Sequence, residues 1–360
     1  MRTINVEELI GCVKGAYSTG RTLMVWGSPG IGKSDGIHQA CSELAQSLGL
    51  AGVRQYGQMT QDCFGLVDVR LSQCDPVDIG GLPASDESKT VQRRLVPDWF
   101  PSIYRDDLPE YGLVLLEELV SAPQSVQAAA YQLAHDKRIG DHPMKPGWQV
   151  VCTGNYMTDG GVVHKLATPL ANRGLHVNVQ SNFDSWCRWA VSHGVEPELL
   201  AFIRFEPDLL NTFEDHVKNK REGYAFATER TWHMVDDLLK ADLDEGARSV
   251  LITGAVGEGP AAKFNAFRQT WKEMPSLDGI ILDPHNAPIP QEVGTCFAVC
   301  TGLGARATED NIGNILTYIN RFSRKEFQAL TVQDAMRRNW KLMSTPEFCK
   351  WATEFGEYLQ

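Results

Sequence analysis

The segment Gly27-Ser-Pro-Gly-Ile-Gly-Lys-Ser34 constrains this chain more than any other. It fits the phosphate-binding pattern G-x-x-x-x-G-K-[ST] at every fixed position. Glycines at that spacing let backbone N–H groups turn inward around an anion. The flanks supply the rest of the unit. Thr22-Leu-Met-Val-Trp26 reads as a short buried strand, and beyond the loop Ile37, Ala40, Cys41, Leu44 and Leu48 recur at helical spacing, with Gly49 as a stop. Strand, glycine loop and helix together aim a helix N-terminus at a polyphosphate. The expectation is a nucleoside triphosphate cradled by Ser28, Pro29, Gly30, Ile31, Gly32, Lys33 and Ser34. Lys33 would lie on the β- and γ-oxygens and Ser34 on a Mg²⁺ ion.

The rest of the first half alternates strand-like and helix-like segments, the mark of an open α/β sheet. Val6, Leu9, Ile10 and Val13 open an amphipathic helix, and Leu66–Leu71, Leu113–Leu116, Gln149–Thr153 and Leu175–Val179 read as strands. A helix is expected from about Pro123 to Asp136. A proline- and glycine-rich excursion separates Asp75 from Pro109. From Phe183 onward helical periodicity takes over, including Thr231–Ala241, with a Pro/Gly/Asn-rich join between Met274 and Pro290. The domains expected are an α/β core over 1–182, a helical lid over 183–275 and a helical extension over 276–360.

Charge and cysteine usage narrow the function classes. A net charge of −11 argues against generic nucleic-acid binding, and the basic run Lys218-Asn-Lys-Arg221 is short and followed by Glu222. No apolar run is long enough to cross a bilayer. The start, Met1-Arg-Thr-Ile-Asn-Val-Glu7, lacks the apolar core of a signal peptide, so a cytoplasmic location is expected. Nine cysteines scattered singly predict reduced thiols. Cys296 and Cys300 read as buried helical packing rather than metal ligands.

Hydrolysis needs a metal anchor, a group that activates water and positive charge against the γ-phosphate. Leu113-Val-Leu-Leu-Glu-Glu118 is an apolar strand ending in two carboxylates: Glu117, where aspartate is usual, to support the metal, and Glu118 as general base. Val150-Val-Cys-Thr-Gly-Asn155 ends in an amide that can orient the attacking water, although Gly154-Asn155 also suits a plain turn. Pro169-Leu-Ala-Asn-Arg173 precedes a strand and offers Arg173 either to a neighbouring subunit's nucleotide or simply to solvent.

These pieces, in this order, resemble the AAA+ ATPases. The linking stretches Val67–Pro83, Leu115–Pro123, Gln127–Leu133 and Thr153–Asn155 make the resemblance one to the MoxR-type group. It is strong over about residues 5–180 and continues through Gly254-Ala-Val-Gly-Glu-Gly259 and the closing helices. It implies a hexameric ring with ATP and Mg²⁺ between subunits, and chaperone-like remodelling of a protein client, often through a von Willebrand factor A domain adaptor. It also implies that Arg230, within Phe226-Ala-Thr-Glu-Arg-Thr-Trp232, touches nucleotide from the lid. Two departures carry expectations of their own. Glu229 replaces the family's proline and would put a carboxylate near phosphates, and Gly174 replaces a phenylalanine and would loosen the anchoring of Arg173. Two other readings are an ATP-gated scaffold with little hydrolysis and a nucleic-acid motor, the latter disfavoured by the acidic balance.

Overall fold

The computed structural model describes residues 2–156, 159, 164, 172–219 and 223–355. Lys220 and Arg221 of the basic run and Pro169–Ala171 before Arg173 lie outside them. The chain divides into two compact units, Met1–Asn182 and Phe183–Gln360.

The first unit is built on a parallel seven-stranded sheet. In chain order its strands are β1 (Thr3–Ile4), β2 (Leu23–Trp26), β3 (Val53–Gln55), β4 (Phe64–Arg70), β7 (Tyr111–Glu117), β10 (Gly147–Gly154) and β11 (Leu175–Val179). They lie side by side as β1-β11-β2-β10-β7-β4-β3. The strands read as nearly continuous apolar runs because both faces are covered. Met24, Val67, Val114, Leu116, Val150 and Cys152 enter one core. Their sequence neighbours Leu23, Val25, Leu66, Leu113, Leu115 and Val151 enter the other, with helices α1 (Val6–Thr19) and α2 (Lys33–Ser47). Helix α4 (Gln124–Asp136) lines the opposite face.

This order positions the site. From β2 the chain crosses to the far edge at β3 and returns strand by strand through β4 and β7 to β10. It then passes over β2 to reach β11. The order reverses at β2, and at such a switch point the carboxyl ends of the strands leave a crevice open to ligand. Of the expected P-loop AAA+ architecture, the α/β part is observed as a parallel sheet flanked by helices and followed by a helical second half.

The excursion after β4 contains more structure than its composition suggests. Pro76–Gly80 forms α3, with Asp75 as a capping-box residue and proline at its start. Leu82–Ser85 (β5) and Gln92–Leu95 (β6) pair as an antiparallel hairpin. Asp86 closes its turn by accepting from the backbone N–H groups of Thr90 and Val91. The hairpin buries little, so it leaves no hydrophobic alternation to read. A smaller pair, β8 (Arg138–Ile139) and β9 (His142–Pro143), follows α4.

The second unit is helical throughout its described residues. Around Phe202 the rings of Trp232, Phe264 and Phe267 pack at 5.5, 5.0 and 5.6 Å. Arg204 is bidentate to Asp334 at 2.6 and 2.7 Å, with both side chains buried. Cys296 and Cys300 are buried in the helix Val293–Arg306, as packing predicts. No helix among the described residues is long and apolar enough to cross a membrane.

Candidate functional site

The loop between β2 and α2 is shaped by contacts that exclude a side chain at Gly27. A Cβ there would meet the Val179 carbonyl oxygen at 2.6 Å and the end of Ile31 at 2.7 Å. Gly30 and Gly32 take φ of 80° and 87°, a region that L-residues avoid. Lys33 is the first residue of α2. Its Nζ donates to the carbonyls of Gly27 and Ser28 at 2.6 and 2.8 Å and to Asn155 Oδ1 at 3.2 Å. Asn155 reaches Lys33 because β10 is the neighbour of β2, with Gly154 in register with Trp26. Gly27 N–H is tied to the Gly154 carbonyl at 3.2 Å.

On the other side of β10 lies β7, which ends at Glu117. The Ser34 hydroxyl donates to Glu117 Oε1, joining the loop to this strand end. Contact is direct, although Glu117 is one methylene longer than the usual aspartate. Arg70 Nε lies 3.7 Å from the other Glu117 oxygen. One hydroxyl and one carboxylate side by side are the hard oxygen donors that suit Mg²⁺, and they flank the anion loop. The residues fit that ion.

Glu118 leaves the strand direction. It has φ of 59°, a sparsely populated region for a residue with a Cβ, and outliers of this kind cluster at functional sites. Its exposed carboxylate accepts a hydrogen bond from the Ser72 hydroxyl, on the 3₁₀ turn that follows β4. Leu119 N–H then donates to the Thr153 carbonyl at 2.9 Å, fastening the turn after the two glutamates to β10. The paired carboxylates therefore part company, Glu117 toward α2 and Glu118 toward β4.

Three more side chains belong to this neighbourhood. Asp68 lies on β4, opposite Leu115 of β7, and burial followed by the charge of Glu117 raises its carboxyl pKa. Its Oδ2 is 4.0 Å from His38 Nε2 on α2. Asp159 lies 3.4 Å from Ser28 Oγ. Neither these nor Ser72 stands out in the sequence. Asp68, Arg70 and Ser72 do alternate along one stretch, but only pairing of β4 with β7 in register, Arg70 opposite Glu117, shows where they fall.

Arg173 is exposed at the turn before β11, with its guanidinium carbon 5.0 Å from the centre of the Tyr131 ring. Gly174, the other departure, lies close against β2. A Cβ at 174 would stand 2.8 Å from Met24 Cγ and 3.3 Å from the Thr22 carbonyl, so close packing against β2 requires the glycine. Arg230 lies exposed in the first turn of the helix Glu229–Lys240, in the second unit. Glu229 is buried, and its carboxylate accepts from Asn211 Nδ2 at 2.8 Å within the same unit, so it is engaged there.

Among the described residues, one acidic group has metal-like spacing away from the loop: His233, Asp236 and Asp237. Asp236 already accepts from the Glu196 N–H at 2.7 Å and from Lys240 Nζ at 2.6 Å, so helix capping and an ion pair account for it.

No protein-family model and no curated protein matches this chain. Solved structures similar to it include a protein of Cytophaga hutchinsonii assigned as an ATPase. That match has 12% identity, spans 99% of this chain and 93% of the other, and has a TM-score of 0.32. NtrX of Brucella abortus in complex with ADP matches at 11% identity over 97% of this chain and 68% of its own, with a TM-score of 0.37. A mutant RuvB of Thermotoga maritima matches at 14% identity over 83% of this chain and 81% of its own, with a TM-score of 0.36. Likeness at this level assigns no role to any residue of this chain.

Proposed function

We propose that the chain is an Mg²⁺-dependent ATPase of the MoxR-type AAA+ group, working as a homo-oligomeric ring that remodels a protein client. One observation carries the catalytic part. The anion loop, the carboxylate pair and the terminal amide come from three adjacent parallel strands, with Lys33 bonded to Asn155 and Ser34 to Glu117. Loop amides from Ser28 to Ser34 would hold the phosphates of ATP, and Lys33 would exchange its carbonyl partners for β- and γ-oxygens. Ser34 and Glu117 would hold Mg²⁺, which when bound neutralises charge on those oxygens. Glu118 takes the proton of the attacking water, and Asn155 orients that water. Arg173 of a second copy supplies charge at the γ-phosphate, a contribution worth roughly three to five orders of magnitude in other phosphate-loop enzymes. Arg230 is the lid contact to nucleotide.

The client-remodelling part of the proposal rests on the stretches from Val67 to Asn155 that carry the MoxR resemblance. A hexamer and an adaptor with a von Willebrand factor A domain belong to it, and nucleic acid and membrane have no part in it. The test is ATPase rate against protein concentration with Mg²⁺, for wild type, Glu118→Gln and Arg173→Ala. The expected result is specific activity that rises with concentration and collapses in both variants, while Glu118→Gln still binds ATP. A rate flat with concentration and indifferent to Arg173 would refute the ring. Turnover by Glu118→Gln at the wild-type rate would refute the base.

A further inference from the structure

Arg173 is useful to a neighbouring copy only if its guanidinium is held out at the surface in one place, and a long exposed side chain does not hold itself. Its backbone is well fixed. Gly174 packs against Met24 and Thr22, and Leu175 N–H donates to the Thr22 carbonyl at 2.8 Å as β11 begins its pairing with β2. The side chain is the free element, and the contact it makes is with the Tyr131 ring face at 5.0 Å. A guanidinium within about 6 Å of a ring centre is attracted by the electron-rich face of that ring.

Tyr131 is itself held. It is partly buried against the core under α4, and the His135 ring lies 5.9 Å away on the next turn of the helix. Helix α4 follows the two site carboxylates after a short turn, Leu119 to Pro123, in which the Ser121 and Ala122 N–H groups donate to the Glu118 carbonyl at 2.9 and 3.2 Å. A hydrogen-bonded turn and then helix α4 thus connect the chain's own Glu118 to the ring beneath its exposed arginine.

We propose that Tyr131 is the positioning residue for Arg173, its ring face presenting the guanidinium to the triphosphate bound by a second copy of this chain. The inference rests on the trans-arginine reading above and adds the group that makes it work. Tyr131 touches no substrate, so its removal changes turnover without changing nucleotide affinity.

The experiment is a mutant cycle on the full chain at a concentration where wild type is assembled, reading kcat, KM and ATP affinity. A cation–π contact at an exposed site has a modest strength, so Tyr131→Leu should lower kcat roughly two- to fivefold with ATP affinity unchanged. Tyr131→Phe keeps the ring and should restore near-wild-type turnover. In an Arg173→Ala background, Tyr131→Leu should have no further effect. Mixing Tyr131→Leu chains with Glu118→Gln chains should raise turnover above either alone, because the second supplies a well-held arginine to the first. Wild-type kcat in Tyr131→Leu beside a dead Arg173→Ala would overturn this inference alone. The same holds for an equal loss in the Arg173→Ala background, which would mark the ring as structural. Wild-type turnover by Arg173→Ala would overturn the trans-arginine reading and this inference together.

Discussion

Gly27→Ala is the sharpest test of how the phosphate loop is built. The added methyl carbon would lie 2.6 Å from the Val179 carbonyl oxygen and 2.7 Å from Ile31 Cδ1. The isoleucine end can rotate away. The carbonyl belongs to the backbone of β11, which pairs with β2 on one side and β1 on the other, so either the sheet edge or the loop must shift. Overpacking of this kind costs typically about 1–3 kcal/mol. Taken entirely by the loop, that strain opposes the binding-competent shape and weakens ATP affinity by roughly 5- to 150-fold. Taken entirely by the sheet, it lowers Tm by roughly 2–4 °C per kcal/mol for a unit of this size. Calorimetric titration with ATP and thermal unfolding of the nucleotide-free chain read the two shares, which should sum to the strain. Gly15→Ala is the control. Gly15 lies exposed in α1, and a methyl added there would meet nothing within 4 Å, so alanine should stabilise by about 0.4–1 kcal/mol and leave binding alone. A Gly27→Ala chain with wild-type affinity and wild-type Tm would refute this account of the loop.

Two further predictions concern groups away from the triphosphate. Burial lowers the pKa of Lys137 to about 8, with its Nζ donating to Thr22 Oγ1 at 2.7 Å. An unfolded lysine keeps its proton to about pH 10.4, so between about pH 8 and 10.4 the unfolded state holds more protons and stability rises with pH. Lys137→Met should abolish that rise, and a Tm difference between the two chains that stays constant from about pH 7 to 10.5 would contradict it. In the second unit, Asp334→Ala leaves the Arg204 guanidinium buried without its bidentate partner and should cost about 3–5 kcal/mol. Arg204→Met with Asp334→Leu should recover most of that loss, and denaturant midpoints of the three chains decide the matter.

Much of the site is legible in the sequence because its parts are local. A phosphate loop is a run of eight residues whose glycines and lysine act through their own backbone, so Gly27–Ser34 announces itself. Strand Leu175–Val179 has the same limits in sequence and structure, and the helix after Pro123 runs to Asp136 as its spacing predicts. The exposed hairpin Leu82–Ser85/Gln92–Leu95 was not legible. It lies mostly in solvent, with Leu82 and Leu95 56% and 59% exposed, so no buried face imposes a period on its residues.

By itself, then, the sequence determined that a glycine loop follows a strand and opens a helix, that two carboxylates end one later strand and an amide ends another, and that helices follow. Each of these depends on spacing within one segment. Which strands become neighbours was decided by the tertiary structure alone, because setting β10 beside β2 joins residues more than a hundred positions apart. That order puts Asn155 on Lys33 and Glu117 on Ser34, and separates Glu118 toward Ser72. It also sets Tyr131 beneath Arg173, a contact across 42 residues. Side chains from distant segments have no shared period, and only the packing of the sheet and its helices brings them within reach.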